Sequence, residues 1–239
     1  MNIIITGASR GIGFYTALQL AKNTDHKIFA LSRDVTGLKK LSELIKSDQL
    51  ITMPFDITND KMITESIGKI SGMVSGVEVL INNAGHLIKK SFVELTHKDW
   101  QDIYNVNVFG VVDFTKALLP LLLKGKISPL TKTRAHILNI SSMGGIQGSI
   151  KFNGLSGYSS SKGALITISE CLSEELKLNG IHVNVLALGS VETEMFQRAF
   201  PGTRASINVT DMATWIGDFA LNGHRFFNGK VIPLSTYTP

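Results

Sequence analysis

The sequence predicts an α/β fold, in which about seven parallel strands form a doubly wound sheet with helices on both faces. Short apolar runs of strand length alternate with stretches of helical period along the whole chain, as expected for a parallel sheet with right-handed crossovers. Polar or glycine-containing segments follow these runs, at the carboxyl ends of the strands where such sheets bind ligands. These segments are 6–13, 32–33, 56, 82–85, 141–142 and 189–193.

The first predicted strand runs into a glycine-rich turn. Three consecutive isoleucines after Asn2 form a short apolar run, which is typical of a strand buried on both faces. Glycines follow at 7, 11 and 13, and Phe14–Lys22 has a helical period. A strand that turns through glycines into a helix presents backbone N–H groups at the positive end of that helix, which suits a pyrophosphate. An ordinary tight turn is the alternative, because the spacing G-x-x-x-G-x-G alone is a weak signal.

The remaining elements follow in alternation. The predicted strands are Lys27–Leu31, Leu50–Phe55, Val77–Ile81, Ala135–Ile140, Ile181–Leu188 and Lys230–Leu234. The predicted helices are Leu38–Lys46, a helix capped by Thr58 and ending near Met73, His97–Lys124 with Pro120 limiting its end, and Tyr158–Leu178 before Asn179-Gly180. The residues expected to face inward in the first of these helices are Leu38, Leu41, Leu44 and Ile45.

The composition limits the class of protein. The chain has 239 residues, of which 44% are hydrophobic and 18% charged, so it can bury one substantial α/β core. No linker or repeat divides it, which predicts a single domain over residues 1–239. Cys171 lies in a helical pattern and is expected to be packed, and no cysteine spacing indicates a disulfide or a metal site. We see neither a leader segment nor an apolar run of about 20 residues, and we therefore expect a cytoplasmic protein with no membrane partner.

The net charge of +5 does not by itself indicate a nucleic-acid partner. Lysines and arginines are scattered along the chain, and the local clusters Lys89-Lys90 and Lys124–Arg134 are expected to be solvated loops.

The end of the second strand indicates which dinucleotide would bind. Ser32 and Arg33 close that strand, where an acidic residue would bind the ribose hydroxyls of NAD. Arg33 and Arg10 are placed to meet a 2′-phosphate instead, since a planar guanidinium matches a phosphate. The pattern favours NADP(H) over NAD(H). Asp34 remains an alternative ribose ligand, and both arginines are alternatively ordinary surface residues.

Tyr158 and Lys162 carry the strongest chemical signal. Residues four apart share one face of a helix, so the phenol and the ammonium can address the same ligand. A nearby cation stabilises a phenolate, and we expect Lys162 to lower the pKa of Tyr158 from about 10 towards neutrality. A phenol tuned in this way can exchange a proton with a carbonyl or alcohol oxygen.

These residues together resemble the short-chain dehydrogenase/reductase family, in its compact single-domain form. The resemblance covers the chain from Thr6 to about Val231. It rests on Thr6-Gly-Ala-Ser-Arg-Gly-Ile-Gly13, Asp56, Asn82-Asn-Ala-Gly85, Asn107, Ser142, Tyr158 and Lys162. The combination is far more specific than its parts. The family implies a Rossmann-type sheet and hydride transfer between a nicotinamide and a carbonyl/alcohol pair.

The resemblance also assigns roles to residues of this chain. It implies Tyr158 as general acid/base, Ser142 as the group that orients the substrate oxygen, and Lys162 as the ligand of the nicotinamide ribose. Asn107 is expected to hold a water that links Lys162 to solvent. The cofactor-binding residues implied are Gly7, Ser9, Arg10, Gly11, Ile12, Gly13, Ser32, Arg33, Asp56, Ile57, Asn83, Ala84, Gly85, Tyr158, Lys162, Gly189, Val191 and Thr193. Asp56 and Asn83 would flank the adenine side, and 189–193 the nicotinamide carboxamide.

Three departures from the family pattern affect the site. Ser142 precedes Tyr158 by 16 positions, which predicts an extended loop over Met143–Gly157, and Ser141 is the alternative to Ser142. Leu188-Gly189 stands where the family has Pro-Gly, and we expect a looser backbone there. The tail 232–239 lacks the usual Asp-Gly-Gly, so a loop beside the pocket or the subunit contact is expected to differ.

The substrate is the least predictable part. His86, Met143, Phe152, Met195 and Phe196 lie in segments expected to surround the nicotinamide, although packing explains each of them equally well. An apolar rim suits a ketone or aldehyde with a hydrophobic body. Lys89 and Lys90 would favour an acidic or carrier-linked substrate only if they are not simply solvated.

Two functional classes and an oligomer follow from these patterns. The first class is an NADP(H)-dependent carbonyl reductase or alcohol dehydrogenase, and the alternative is a dinucleotide-binding sensor or interaction protein without turnover. The resemblance implies a homodimer or homotetramer, formed by the helices at 97–124 and 158–178. The apolar residues that exceed what a thin helix face needs are Val108, Val111, Phe114, Leu118 and Leu122.

Overall fold

A single parallel sheet organises the fold. The structure, a computed structural model, describes residues 1–22 and 25–236, and within them seven strands pair in the order β3-β2-β1-β4-β5-β6-β7. The strands are β1 Asn2–Thr6, β2 Lys27–Ser32, β3 Leu50–Pro54, β4 Val79–Asn82, β5 Ala135–Ser142, β6 Ile181–Leu188 and β7 Val231–Leu234. From β1, the strands β2 and β3 are added on one side of the sheet and β4 to β7 on the other. The strand order therefore reverses between β1 and β4, and ligands bind outside the carboxyl ends of the strands at such a switch point.

Helices cover both faces of this sheet, as the sequence predicts. They are α1 Gly11–Leu20, α2 Val35–Ile45, α3 Asp60–Met73, α4 His97–Tyr104, α5 Gly110–Leu122, α6 Ser156–Glu175, α7 Glu194–Ala199 and α8 Val209–Asn222. One buried apolar cluster joins the sheet to α3, α5 and α6, and a second joins it to α1, α2 and α8. The doubly wound fold class is confirmed.

The isoleucine run of β1 shows why the central strands are apolar throughout. Ile3, Ile4 and Ile5 are all fully buried. Ile4 belongs to one apolar cluster, whereas Ile3 and Ile5 belong to the other. Successive side chains of a strand point to opposite faces, so a strand covered on both sides needs an apolar residue at every position.

The long helix predicted over His97–Lys124 is interrupted. A π-helical segment, Asn105–Phe109, separates α4 from α5, and α5 continues through Pro120 to end at Leu122. A π-helical turn inserts one extra residue per turn and is frequent at functional sites. Here it turns the polar side chain of Asn107 into the protein, where the residue is fully buried.

The same stretch corrects the expectation about membrane-spanning length. His97–Leu122 has 26 residues with a mean hydropathy of 1.2, which satisfies a membrane span by length and composition. Half of its apolar window is buried inside the protein, and core helices of soluble proteins show the same pattern.

Two local predictions about helices are wrong. Asn59 caps α3, because its side chain accepts a hydrogen bond from the Met62 N–H at 3.0 Å. The hydroxyl of Thr58 instead donates to Asp56 at 2.8 Å. Leu44 is 57% exposed although Leu38 and Leu41 are buried, since steps of three residues drift by about 60° around a helix and carry Leu44 off the buried stripe.

Three further differences concern the second half of the chain. No helix is predicted from the sequence between β6 and β7, where the structure has α7 and α8. Asn208 caps α8, because its side chain accepts a hydrogen bond from the Thr210 N–H at 2.8 Å. Met212 and Ile216, which are four residues apart, are buried in this helix. This capping residue and this apolar spacing are visible in the sequence and indicate a helix. Cys171 was expected to be packed but is exposed on α6.

The apolar residues assigned to a subunit interface lie inside the chain itself. Val108, Val111, Phe114, Leu118 and Leu122 are all buried within the chain. All of them except Val108 belong to the apolar cluster on the protein's own sheet, and none is exposed to a partner. The exposed large apolar side chains of this region are Phe109, at 55%, and Leu123, at 37%. The homo-oligomer stays a prediction.

Candidate active site

The glycine turn after β1 is built for close backbone approach. Gly7 and Gly11 have φ values of +69° and +54°, which non-glycine residues rarely adopt. A Cβ at Gly7 would lie 2.9 Å from the Cα of Ala84, and one at Gly13 would collide with the Gly7 carbonyl oxygen and with Nδ2 of Asn83. The turn is therefore packed tightly onto the segment that follows β4.

Asn83 fixes that packing, and the start of α1 stays open. The Asn83 amide donates to the carbonyl oxygens of Thr6 and Gly7 at 3.0 and 3.1 Å. Arg10 is the N-cap residue of α1 but makes no side-chain capping bond. The first-turn N–H groups thus face the cleft without a capping side chain, which fits a pyrophosphate group.

The end of β2 places both an arginine, Arg33, and a carboxylate, Asp34, on the cleft. The Arg33 guanidinium is 62% exposed and lies 3.8 Å from the Asp56 carboxylate. Asp34, the alternative ribose ligand, accepts from the Gly37 N–H at 3.2 Å and so caps α2. The Ser32 hydroxyl donates to that of Ser9 at 2.8 Å, which joins the end of β2 to the glycine turn.

Tyr158 and Ser142 meet where β5 ends and α6 begins. The interaction with the Ser142 side chain lowers the pKa of Tyr158, but desolvation dominates and raises it to about 12. Ser141 is buried and its hydroxyl donates to the Lys162 carbonyl oxygen at 2.9 Å. Of the two serines, it is Ser142 whose side chain addresses Tyr158.

Lys162 is held inside the protein. It is 3% exposed, and its ammonium donates to the Ile140 carbonyl oxygen at 2.8 Å and lies 5.8 Å from the centroid of the Tyr158 ring. Burial lowers the pKa of Lys162 to about 8. The predicted lowering of the Tyr158 pKa is wrong for the protein chain alone, because the burial of the phenol outweighs any effect of the ammonium.

Asn107 connects three segments beneath these groups. Its Oδ1 accepts from the His86 N–H at 2.7 Å, and its Nδ2 donates to the His86 carbonyl oxygen and to the Ser161 hydroxyl, each at 2.9 Å. Ser161 in turn donates to the Tyr158 carbonyl oxygen at 2.7 Å. Gly85 lies beside both groups, since a Cβ there would be 3.6 Å from the Lys162 ammonium and 3.7 Å from Oδ1 of Asn107.

One cleft of about 750 Å³ brings most of the predicted residues together. The predicted residues that line it are Gly7, Ser9, Arg10, Gly11, Ile12, Ser32, Arg33, Ile57, Asn83, Ala84, Gly85, Ser142, Tyr158, Lys162, Gly189, Val191 and Thr193. Gly13, Asp56 and Asn107 are not among its lining residues. Each of them contacts a neighbour of the cleft instead: Gly13 packs on Gly7, Asp56 lies 3.8 Å from Arg33, and Asn107 bonds to His86 and Ser161.

The comparison with protein families decides what this arrangement belongs to. The family model described as short chain dehydrogenase matches residues 1–203. The chain belongs to the short-chain dehydrogenase family. This assignment makes it an oxidoreductase, as the sequence predicts.

The relatives of this chain include two proteins whose names describe reductases. Ketoacyl reductase HetN from Nostoc sp. is 32% identical over 192 residues, which are 80% of this chain but only 63% of that protein. The 3-oxoacyl-[acyl-carrier-protein] reductase FabG from Buchnera aphidicola subsp. Baizongia pistaciae is 30% identical over 195 residues, which are 80% of this chain and 74% of that protein. Less than two thirds of the Nostoc relative is thus matched.

A solved structure supports the same fold. The structure described as ElxO with NADP bound has a TM-score of 0.83 and 27% sequence identity, over 97% of this chain and 96% of that chain. The Rossmann-type sheet of this chain is therefore similar to that of a solved structure over nearly its whole length.

The backbone after β6 is held against β7 at Gly189. The Gly189 N–H donates to the Leu234 carbonyl oxygen at 2.8 Å, and a Cβ at Gly189 would lie 2.6 Å from Oγ of Ser235. That Leu188-Gly189 gives a looser backbone than Pro-Gly stays a prediction. Residues 237–239 of the unusual tail lie outside the described residues.

The rim of the cleft contains groups that sequence reasoning missed. Met143, Phe152, Met195 and Phe196 line the cleft as expected, but Leu87, Ala199 and Phe200 line it too. His86 is not among the lining residues, and burial lowers the pKa of its imidazole. Leu87 and Phe200 are far apart in the sequence, and only the tertiary structure brings their segments together. No local sequence pattern therefore predicts that both line the cleft.

Lys89 and Lys90 are engaged within the protein. The Lys89 ammonium donates to the Ala199 carbonyl oxygen at 2.6 Å, and that of Lys90 lies 2.9 Å from the Asp99 carboxylate. Both residues are exposed and lie in a loop, as expected, and these contacts engage the two ammonium groups within the protein.

Proposed function

We propose that this dehydrogenase transfers a hydride between NADP(H) and a carbonyl/alcohol substrate, with Tyr158 as general acid/base. The observation that supports this proposal most directly is that Tyr158, Ser142 and Lys162 line one cleft, which continues into the glycine turn after β1. A protein that only bound a dinucleotide would need the glycine turn and Lys162, but not a phenol facing a serine. The arrangement therefore favours the enzyme over the non-catalytic sensor.

The residues divide into those that hold the cofactor and those that handle the proton. Gly7, Gly11 and the open start of α1 would hold the pyrophosphate, and Lys162 the nicotinamide ribose. The bound nicotinamide would supply or accept the hydride. Everything else in the reaction falls to side chains of this chain.

The proton is held on the phenol of Tyr158. With a pKa of about 12, this phenol stays protonated at neutral pH and can donate to a substrate carbonyl oxygen during reduction. Ser142 positions that oxygen through its hydroxyl. Lys162, with a pKa of about 8, is still mostly cationic at pH 7, and its charge stabilises the phenolate that remains after donation.

Three observations support NADP(H) over NAD(H). Arg10 and Arg33 line the cleft near the end of β2. The carboxylate of Asp34, which lines the cleft as well, is engaged as the cap of α2. The solved structure of ElxO, which is 27% identical, contains NADP. The names of the two relatives make an oxoacyl compound one candidate substrate.

A variant series tests the role of Tyr158. In a panel of carbonyl compounds, Tyr158→Phe is expected to lower kcat by roughly a hundredfold or more, whereas the Kd for NADPH changes less than about twofold. Lys162→Ala should impair both, because its ammonium serves ribose and phenol. Tyr104→Phe, a tyrosine of α4, is the matched control and should retain activity.

Near-wild-type turnover by Tyr158→Phe on a genuine substrate would overturn the assignment. Turnover of no carbonyl compound by the wild-type protein, with NADPH still bound, would favour the sensor.

A further inference from the structure

Three segments that are distant in sequence meet at the mouth of the cleft. They are 87–90 after β4, the loop 143–157 after β5, and α7 after β6. Phe152 of the loop 143–157, Phe196 of α7 and Phe200, the C-cap residue of α7, form what we call the aromatic wall. The Phe200 ring lies 5.5 Å from that of Phe152 in an edge-to-face contact, and 5.2 Å from that of Phe196.

The aromatic wall presents apolar surface to the cleft. All three rings line it, together with Leu155 and Met195. Phe152 is 54% exposed and Met195 37% exposed. Apolar side chains left open inside a concave site gain free energy when a ligand covers them. The wall is continuous with Tyr158 and Ser142, which line the same cleft.

Lys89 holds the wall in place. Its ammonium donates to the Ala199 carbonyl oxygen at 2.6 Å and lies 4.4 Å from the centroid of the Phe200 ring. The first contact satisfies a carbonyl at the C-terminal end of α7, where positive charge is favourable. The second is a cation–π contact. Lys89 therefore fixes both the backbone and the ring of the last residues of α7.

Lys90, the residue after Lys89, connects this segment to the loop 143–157. The Lys90 N–H donates to the Gly154 carbonyl oxygen at 3.1 Å, which lies two residues after Phe152. The Lys90 side chain points elsewhere, to Asp99 of α4. The two lysines thus differ in what their ammonium groups do, although they are adjacent and similarly exposed.

We propose that the substrate of this dehydrogenase is a carbonyl compound with an uncharged apolar body that packs on the aromatic wall, and that Lys89 is the positioning residue of that subsite. This inference rests on the proposed function for the placement of the carbonyl next to Tyr158. The apolar part of the substrate then packs on the aromatic wall, so that the substrate's affinity increases with the size of that part. The proton transfer is carried out by Tyr158.

A binding series without turnover tests the wall. NADPH and a secondary alcohol cannot react with each other, so wild-type protein with NADPH can be titrated calorimetrically with 2-propanol, 2-butanol, 2-hexanol and 2-octanol. Each added CH₂ that is buried should tighten Kd by up to roughly fourfold, and 2-octanol should bind at least about tenfold more tightly than 2-butanol. Equal Kd values across the series would overturn the apolar subsite.

A kinetic comparison tests Lys89. With 2-octanone, Lys89→Met should raise KM by about three- to tenfold and leave kcat within about twofold, and Lys89→Arg should restore most of the loss. Lys90→Met is the matched control and should leave KM unchanged. With acetone, which is too small to reach the wall, Lys89→Met should have little effect.

The outcomes separate the two proposals. Apolar discrimination among the alcohols without turnover of any ketone would support the subsite and contradict the proposed reaction. Turnover that favours small charged oxoacids, or equal effects of Lys89→Met and Lys90→Met on KM, would overturn the subsite and leave the proposed reaction standing.

Discussion

Arg33 is the residue at which cofactor choice can be tested most directly. Its guanidinium is largely exposed and faces Asp56 at 3.8 Å, so solvent screening weakens any single contact that it makes. We expect Arg33→Ala to cost about 1–1.5 kcal/mol of NADPH binding, or roughly five- to tenfold in Kd, and to leave the Kd for NADH within about twofold. Fluorescence titrations with each cofactor measure both values.

The control for Arg33 is an arginine away from the cleft. Arg225→Ala should alter neither affinity. If Arg33→Ala weakens NADPH and NADH alike, the preference for NADP(H) is contradicted and Asp34 becomes the ribose ligand to test.

At this scale, the sequence shows which residues carry chemistry but not what each one contacts. Tyr158 and Lys162 are predictable because their spacing fixes a shared helix face. Lys89 is not, because its partner Ala199 lies 110 positions away and no local pattern reports such a contact. The direction in which the pKa of Tyr158 shifts is not predictable for the same reason, since desolvation depends on all the residues that pack around the phenol.

Among the elements, the glycine turn after β1 gives the sharpest steric prediction. A methyl group at Gly13 would collide with the Gly7 carbonyl oxygen and the Asn83 amide. Because backbone cannot move aside easily, Gly13→Ala should destabilise the fold by about 1–3 kcal/mol and weaken NADPH binding at least tenfold. Urea unfolding and cofactor titration measure the two effects.

Gly68 offers the matched comparison. It lies in α3, and a Cβ there would meet nothing within 4 Å. Gly68→Ala should stabilise the protein by about 0.5–1 kcal/mol, since alanine favours a helix over glycine, with cofactor affinity unchanged. A Gly13→Ala protein that binds NADPH normally would show that the turn tolerates a side chain.

Elements differ in how far local sequence determines them. The buried strands are predictable because burial on both faces leaves a continuous apolar run, as in Ile3–Ile5. The π-helical segment Asn105–Phe109 is not, because it depends on the bonds of Asn107 to His86 and Ser161. The C-terminal end of α5 is predicted more closely, since the helix ends at Leu122, two residues beyond Pro120 and two before the predicted end at Lys124.

For the whole molecule, packing between distant segments decides what local patterns leave open. Phe114 and Leu118 look surplus to one helix face, but both are fully buried once the sheet and α3 are in place. The single domain over residues 1–239, the cytoplasmic location and the homo-oligomer remain predictions.

Burial also predicts how stability depends on pH, through His136 of β5. This residue is 1% exposed, and its Nδ1 donates to the Ala220 carbonyl oxygen at 2.9 Å while its Nε2 accepts from Asn184 at 3.1 Å. Desolvation first, and then the charges of His224 and His182, hold its pKa at about 3 against an ordinary value of 6.5, although the bond to Ala220 acts in the opposite direction.

The sign of the effect follows from these two values. The unfolded chain takes up a proton below about pH 6.5, whereas folded His136 stays neutral until about pH 3. Its contribution to the free energy of unfolding is thus complete above pH 6.5 and is lost as the pH falls towards 3, with about 2 kcal/mol lost at pH 5.

A glutamine at this position isolates the contribution. Wild-type protein should show a lower urea midpoint at pH 5.0 than at pH 7.5, and His136→Gln should reduce that difference because its side chain does not titrate. His97→Gln replaces an exposed histidine of α4 and should leave the difference as in wild type. At pH 5.0 the Asp99 carboxylate, with a pKa of about 2, is still ionised and adds nothing to the change. An undiminished pH dependence in His136→Gln would mean that other groups, such as His224 or His26, cause the loss of stability.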